Sequence, residues 1–238
     1  DRNQLDVYTP DGPGPHPTII WMHPGGWVAG DKGASMPVWE WTDRGYAIVS
    51  INYRYAIDPV TVADSVDDAL AAVTHVIDNH AQWQLDPDRV GIYGFSAGGH
   101  LAAMVAHKDL PVSAIAIAGA PTDFGPLLDP EATFFDGRRG AEVVTAARAL
   151  LGCTDAPDSC EGLATAVSPA QLSAGSAELL IVHGEIDHIV DVDQAHRLHD
   201  HLVAVGAAPE LVIVADSGHE THVDEGGIAA FFDERLLS

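Results

Sequence analysis

Three side chains far apart in the chain, Ser96, Asp187 and His219, have the types and the order needed to break an acyl bond. A serine hydroxyl is a poor nucleophile at neutral pH. It attacks a carbonyl only when a base takes its proton, a carboxylate orients that base, and N–H donors receive the oxyanion. Ser96 stands in Gly94-Phe95-Ser96-Ala97-Gly98. With 23 glycines in 238 positions, chance supplies about 0.1 matches to Gly-x-Ser-x-Gly, so the pentapeptide gains its meaning from context. It follows the apolar run Val90-Gly91-Ile92-Tyr93 and precedes the helix-forming Gly99-His100-Leu101-Ala102-Ala103-Met104-Val105-Ala106. That is the strand–turn–helix setting in which a serine sits on a tight elbow, and Gly94 and Gly98 supply the small side chains such a turn requires.

The acid and the base are each expected on a loop after a strand. Asp187 follows Leu179 to Val182 within His183-Gly184-Glu185-Ile186-Asp187, and His219 follows Leu211 to Val214 within Ser217-Gly218-His219. Glu185 and Asp191 are alternative acids and His222 an alternative base, but Asp187 and His219 lie where their loops have left the strands and are preferred. Oxyanion donors are expected from His23-Pro24-Gly25-Gly26-Trp27, after the strand Thr18 to Met22, and from the N–H of Ala97. Pro24 has no N–H, leaving Gly25, Gly26 or Trp27. Trp27, with Trp21, Trp39 and Trp41, is also a candidate for a substrate-binding rim, in competition with a place in the core. His183, His188, His196, His199 and His201 are dense but read as loop and solvated helix residues rather than a metal site. No cofactor is required.

The elements that must position these residues follow from periodicity. Short β-branched or apolar runs alternate with amphipathic helical stretches, which argues for a mostly parallel sheet flanked by helices. Strands are predicted at Pro17 to Met22, Tyr46 to Ile51, Arg89 to Tyr93, Val112 to Ala118, Glu178 to His183 and Glu210 to Val214, with Leu5 to Tyr8 as an added edge. Helices are predicted around Ser35 to Asp43, Val60 to His80, Ser96 to His107, Asp191 to Val205 and His222 to Leu236. Residues Pro121 to Pro169 break the rhythm. They carry one alanine-rich helical piece, Ala141 to Leu151, and read as a small cap inserted over the carboxyl ends of the sheet. A single domain over residues 1–238 is expected.

The formal charge of −24, from 35 acidic against 11 basic residues, repels phosphate backbones, so nucleic acid is not an expected partner. No apolar run approaches the length of a membrane span. The two cysteines, Cys153 and Cys160, are near enough to meet across a turn as a local disulfide, with two free thiols as the alternative. A bridge, together with the abrupt start at Asp1, favours a secreted protein over a cytoplasmic one.

These residues resemble the bacterial esterase and lipase group of the α/β-hydrolase superfamily, related to hormone-sensitive-lipase-like and short-chain carbohydrate-esterase-like enzymes. The resemblance runs in order through Leu5-Asp6-Val7-Tyr8, His23 to Trp27 with Gly30-Asp31-Lys32, Asn52-Tyr53-Arg54, Gly94 to Gly98, His183-Gly184 with Asp187, and Gly218-His219. It implies an α/β-hydrolase fold and places oxyanion donors at Gly25 and Gly26, the second and third glycines of a His-Gly-Gly-Gly loop. Pro24, where the group commonly has glycine, and Asp191, where a proline often follows the acid loop, depart from the pattern. The expected activity is hydrolysis of short-chain carboxylic esters through an acyl-enzyme, the substrate a small-molecule or polysaccharide-linked ester. Alternatives are an acetyl or feruloyl esterase acting on plant polysaccharide, a peptidase of the same fold, and a catalytically silent binding protein.

Overall fold

The computed structural model describes residues 2–33, 36, 38–129, 131, 141–220 and 224–237. Its centre is a seven-stranded sheet of β1 (Leu5–Tyr8), β2 (His16–Met22), β3 (Ala47–Ile51), β4 (Leu85–Phe95), β5 (Ala114–Ala118), β6 (Glu178–Gly184) and β7 (Glu210–Val214), in the order β1-β3-β2-β4-β5-β6-β7. β1 pairs antiparallel with β3, and every other pairing is parallel. This is the mostly parallel sheet that the apolar runs predict. β2, β3 and β5 are buried along their whole length, as strands covered on both faces must be.

Two apolar layers sandwich the sheet, and alternate residues of one strand feed opposite layers. Ile20 and Met22 join the layer built with α2 (Val62–Asp78), α3 (Ala97–Ala106) and α6 (Asp193–Ala204). Ile19 and Trp21 join the other, with Trp41 of α1 (Val38–Asp43) and Ile228, Phe232 and Leu236 of α7 (Glu225–Leu236). α2 is held at its start by the Asp64 carboxylate, which accepts from the Thr61 N–H at 2.8 Å. Among the described residues, no helix is long and apolar enough to cross a membrane.

Most predicted elements fall within a few residues of their observed bounds. β4 starts four residues before the predicted Arg89, because Leu85 pairs with His16 across a register shift that the intervening Asp86-Pro87-Asp88 conceals in sequence. The first residues of the helices predicted from Ser35 and His222 lie outside the described residues. Of the stretch Pro121 to Pro169, residues 130 and 132–140 also lie outside. The rest contains α4 (Ala141–Leu151), as predicted, and α5 (Cys160–Ala166), which was not. Cys153 and Cys160 form a disulfide, Cα–Cα 5.4 Å, that joins the end of α4 to the start of α5.

Both ends of this stretch are fastened to the body. The Gln194 Oε1 of α6 accepts from the N–H groups of Thr122 and Asp123, each at 2.7 Å. The returning end is tied to the outgoing one where Phe124 N–H donates to Ser168 Oγ at 2.8 Å and Ala170 N–H to Thr122 O at 3.0 Å.

Candidate active site

Ser96 sits between the last residue of β4 and the first of α3, with φ 55° and ψ −121°. A non-glycine residue takes that conformation only when its surroundings impose it. Its N–H donates to Ala118 O at 2.8 Å and its C=O accepts from His100 N–H at 3.0 Å. The elbow is packed so closely that a Cβ on Gly94 would lie 2.2 Å from Gly98 O, and one on Gly98 would lie 2.0 Å from Met22 O. Both glycines are therefore demanded by contact, and Gly98 brings the end of β2 against the start of α3.

The loops after β6 and β7 deliver the other two side chains. The Ser96 hydroxyl donates to His219 Nε2 at 3.0 Å, and His219 Nδ1–H donates to Asp187 Oδ2 at 2.6 Å. Asp187 is buried, and its Oδ1 accepts from the N–H groups of Ile189 and Val190, each at 2.8 Å. Burial pushes this carboxyl up, but hydrogen bonds from His183, His219 and the Val190 N–H outweigh it and hold Asp187 well below the usual carboxylate range. Phe95 packs against the His219 ring at 4.8 Å. On the other side, Gly119 is left-handed and leaves only 3.2 Å between an added Cβ and the imidazole.

Of the alternative acids, Glu185 accepts from Asp216 N–H and Asp191 from Asp193 N–H. Neither is the carboxylate that meets His219. His222 lies outside the described residues. His183, which reads in sequence as an ordinary loop histidine, is buried beside Asp187, its Nε2 2.9 Å from Val190 O and 3.4 Å from Asp187 Oδ2. Among the described residues, no cluster of histidine, cysteine and acidic side chains could hold a metal ion.

The loop of Gly25 and Gly26 is braced from several sides. His23 is buried, stacks on Tyr53 at 4.4 Å and accepts the Tyr53 hydroxyl on its C=O at 2.8 Å. Farther along, Gly30 O accepts from Arg2 at 3.0 Å and from the Tyr55 hydroxyl. Gly25 (φ 134°) turns the chain and accepts Val28 and Ala29 N–H groups, while Gly26 (φ 57°) has open space where a side chain would be. As the first residue of α3, Ala97 has an N–H with no acceptor inside the helix, and the contact at Gly98 puts that end beside the loop.

Trp27 corrects an expectation. It is not an exposed rim residue: its side chain is 0% exposed, packed on Phe124 at 5.4 Å with Nε1–H donating to His100 Nδ1 at 3.2 Å. Trp21 and Trp41 are buried as well, leaving Trp39, 67% exposed, as the member of that set at the surface.

The same architecture occurs in solved structures. A truncated carbohydrate esterase from gut microbiota superposes with a TM-score of 0.81 at 23% identity, covering 98% of this chain and 91% of the other. A thermophilic esterase, Est2, of Thermogutta terrifontis superposes at 0.71 with 24% identity, covering 98% and 84%. In sequence, the isoprenylcysteine alpha-carbonyl methylesterase of Arabidopsis thaliana is 26% identical over 261 residues, 98% of this chain. The chain spans 58% of that protein's length. The BD-FAE family matches residues 5–202, and with the α/β-hydrolase sheet and the nucleophile elbow in place, the chain belongs to the BD-FAE family.

Proposed function

We propose that the chain is a serine carboxylic-ester hydrolase acting on short-chain esters. The hydrogen-bonded series from Ser96 through His219 to Asp187 carries this reading. Ser96 Oγ attacks the ester carbonyl as its proton passes to His219 Nε2, and Asp187 stabilises the imidazolium that forms. The N–H groups of Gly25, Gly26 and Ala97 receive the oxyanion. His219 then protonates the departing alcohol, leaving an acyl group on Ser96. Water, deprotonated by the same imidazole, attacks the acyl-enzyme and releases the carboxylic acid, which restores the Ser96 hydroxyl.

Residues 121–169 act in this reading as the cap that shapes the acyl and alcohol sites, and their disulfide supports an oxidising, extracellular setting. The ester-hydrolase relatives agree with the bond chosen. The likeness in fold to a carbohydrate esterase and to an acetyl ester-xyloside bifunctional hydrolase favours acetyl groups on sugars as the natural ester. The test is Ser96→Ala, assayed with p-nitrophenyl acetate and with acetylated xylo-oligosaccharide. The expected result is loss of hydrolysis by a factor of about 10⁴ or more with an unchanged circular dichroism spectrum. Turnover by a folded Ser96→Ala variant at the parent rate overturns the reading.

A further inference from the structure

His100 is fully buried in α3, one turn beyond Ser96 at the elbow, and both its ring nitrogens are engaged. Nδ1 is 3.2 Å from Trp27 Nε1, and Nε2 is 2.8 Å from Val167 O. An indole N–H only donates and a carbonyl only accepts, so Nδ1 must be the unprotonated nitrogen and Nε2 must carry the proton. The ring thus fits one tautomer of neutral imidazole. Burial, only partly offset by the bond to Val167 O, lowers its pKa to about 4. Trp27 and Phe124 meet the ring at 5.1 and 5.2 Å.

What His100 holds is unusual. Trp27 directly follows Gly26 and has φ 60°, a left-handed conformation that a bulky residue adopts only when its surroundings impose it. Two hydrogen bonds keep it there: its C=O accepts from Ala56 N–H at 2.7 Å, and its indole reaches Nδ1 of His100. The second bond links the loop carrying Gly25 and Gly26 to the helix whose first N–H is that of Ala97.

We propose that His100 is a positioning residue for ester hydrolysis: by fixing the Trp27 indole it holds the Gly25–Gly26 loop in register with Ser96 and the Ala97 N–H. This role rests on the assignment of Gly25 and Gly26 as oxyanion donors. It predicts a defect in transition-state stabilisation rather than in substrate binding, because a misplaced donor is felt most where charge develops.

Three variants separate the bond from the bulk. His100→Gln places an amide NH₂ near the Nε2 position, keeping the bond to Val167 O but losing the acceptor for Trp27. His100→Asn places an oxygen near Nδ1 and keeps that acceptor. Trp27→Phe removes the donor and leaves an aromatic ring. With p-nitrophenyl acetate, and with thermal unfolding recorded for each protein, we expect His100→Gln and Trp27→Phe each to lower kcat by about ten- to a hundredfold with KM within about twofold. The double variant should be no slower than the slower single one, and His100→Asn should recover most of the lost kcat.

Parent kcat in His100→Gln or Trp27→Phe, additive losses in the double variant, or a His100→Asn variant as slow as His100→Gln overturns the role. Retained hydrolysis by Ser96→Ala overturns the esterase reading itself, whereas loss there beside an unaltered His100→Gln kcat overturns only the positioning role.

Discussion

Replacing His100 by glutamine also changes how the fold responds to acid, and the size of the change follows from its burial. The ring's pKa falls from an ordinary 6.5 to about 4 in the folded chain. Above 6.5 neither state binds the proton and the ring contributes no pH dependence. Below 6.5 the unfolded chain takes up a proton that the folded chain refuses, so folded stability is lost as pH falls, and the loss levels off below 4. At about 1.4 kcal/mol per pH unit, the full effect is on the order of 3 kcal/mol, with about 2.5 kcal/mol already lost at pH 4.5.

Glutamine does not titrate. The variant gives up the hydrogen bond to Trp27, about 1–3 kcal/mol at neutral pH, but escapes the acid penalty. Urea unfolding of both proteins at pH 7.5, 6.0 and 4.5, with slopes checked for equality, should show the parent more stable at pH 7.5 and its advantage shrinking by about 2.5 kcal/mol at pH 4.5. The remaining titrating groups are shared and cancel in the difference. A stability gap that stays constant across the three pH values refutes the reasoning, since the ring would then titrate alike in both states.

Two further variants probe the site and the disulfide-bonded stretch that begins at Pro121. Asp187→Asn should fold, yet lower kcat roughly 10³- to 10⁴-fold by disturbing the tautomer of His219. Because the Asp187 carboxyl is held below its ordinary range, its contribution to stability is present above that range and lost as pH falls through the lower folded value. Acid unfolding curves of parent and variant should therefore begin to approach each other below about pH 4 and draw closer as the pH falls further. Replacing Cys153 and Cys160 together by serine opens a loop of sequence separation 7. The chain-entropy account assigns such a loop about 2 kcal/mol, so scanning calorimetry should show Tm lower by about 4–8 °C, and an unchanged Tm would remove the disulfide from the stability of the fold.

Much of this arrangement could be read from the chain because it depends on local pattern. The runs in β2, β3 and β5 are buried at every step and mostly apolar since both faces are covered, and the elbow glycines are required by backbone contact that any sequence with this turn must satisfy. Ser96, Asp187 and His219 follow one another in chain order, each just after a parallel strand, β4, β6 and β7. The parts that stayed hidden depend on partners remote in sequence. The burial of Trp27 is set by His100, 73 residues away, and His100 itself looks like one polar residue in an alanine-rich helix. The contribution of His183 to Asp187 appears only when the loop folds back, and its four-residue spacing from the carboxylate reads equally well as chance. α5 is only seven residues long, below the reach of a helical period.

The fastening of residues 121–169 has a consequence for divergence among relatives. Gln194 grips the outgoing end, Phe124 and Ser168 join the two ends, and His100 reaches Val167. All of these bonds lie at the feet of the stretch. On the proposed esterase reading, changes at exposed positions between Gly125 and Ala166 alter what is presented to an incoming ester while the anchors, and the buried Val143, Ala147 and Leu150 that join the α2 layer, keep their geometry. The fold in effect sets a variable surface on fixed feet, so that on this reading substrate preference can change without disturbing Ser96, Asp187 and His219.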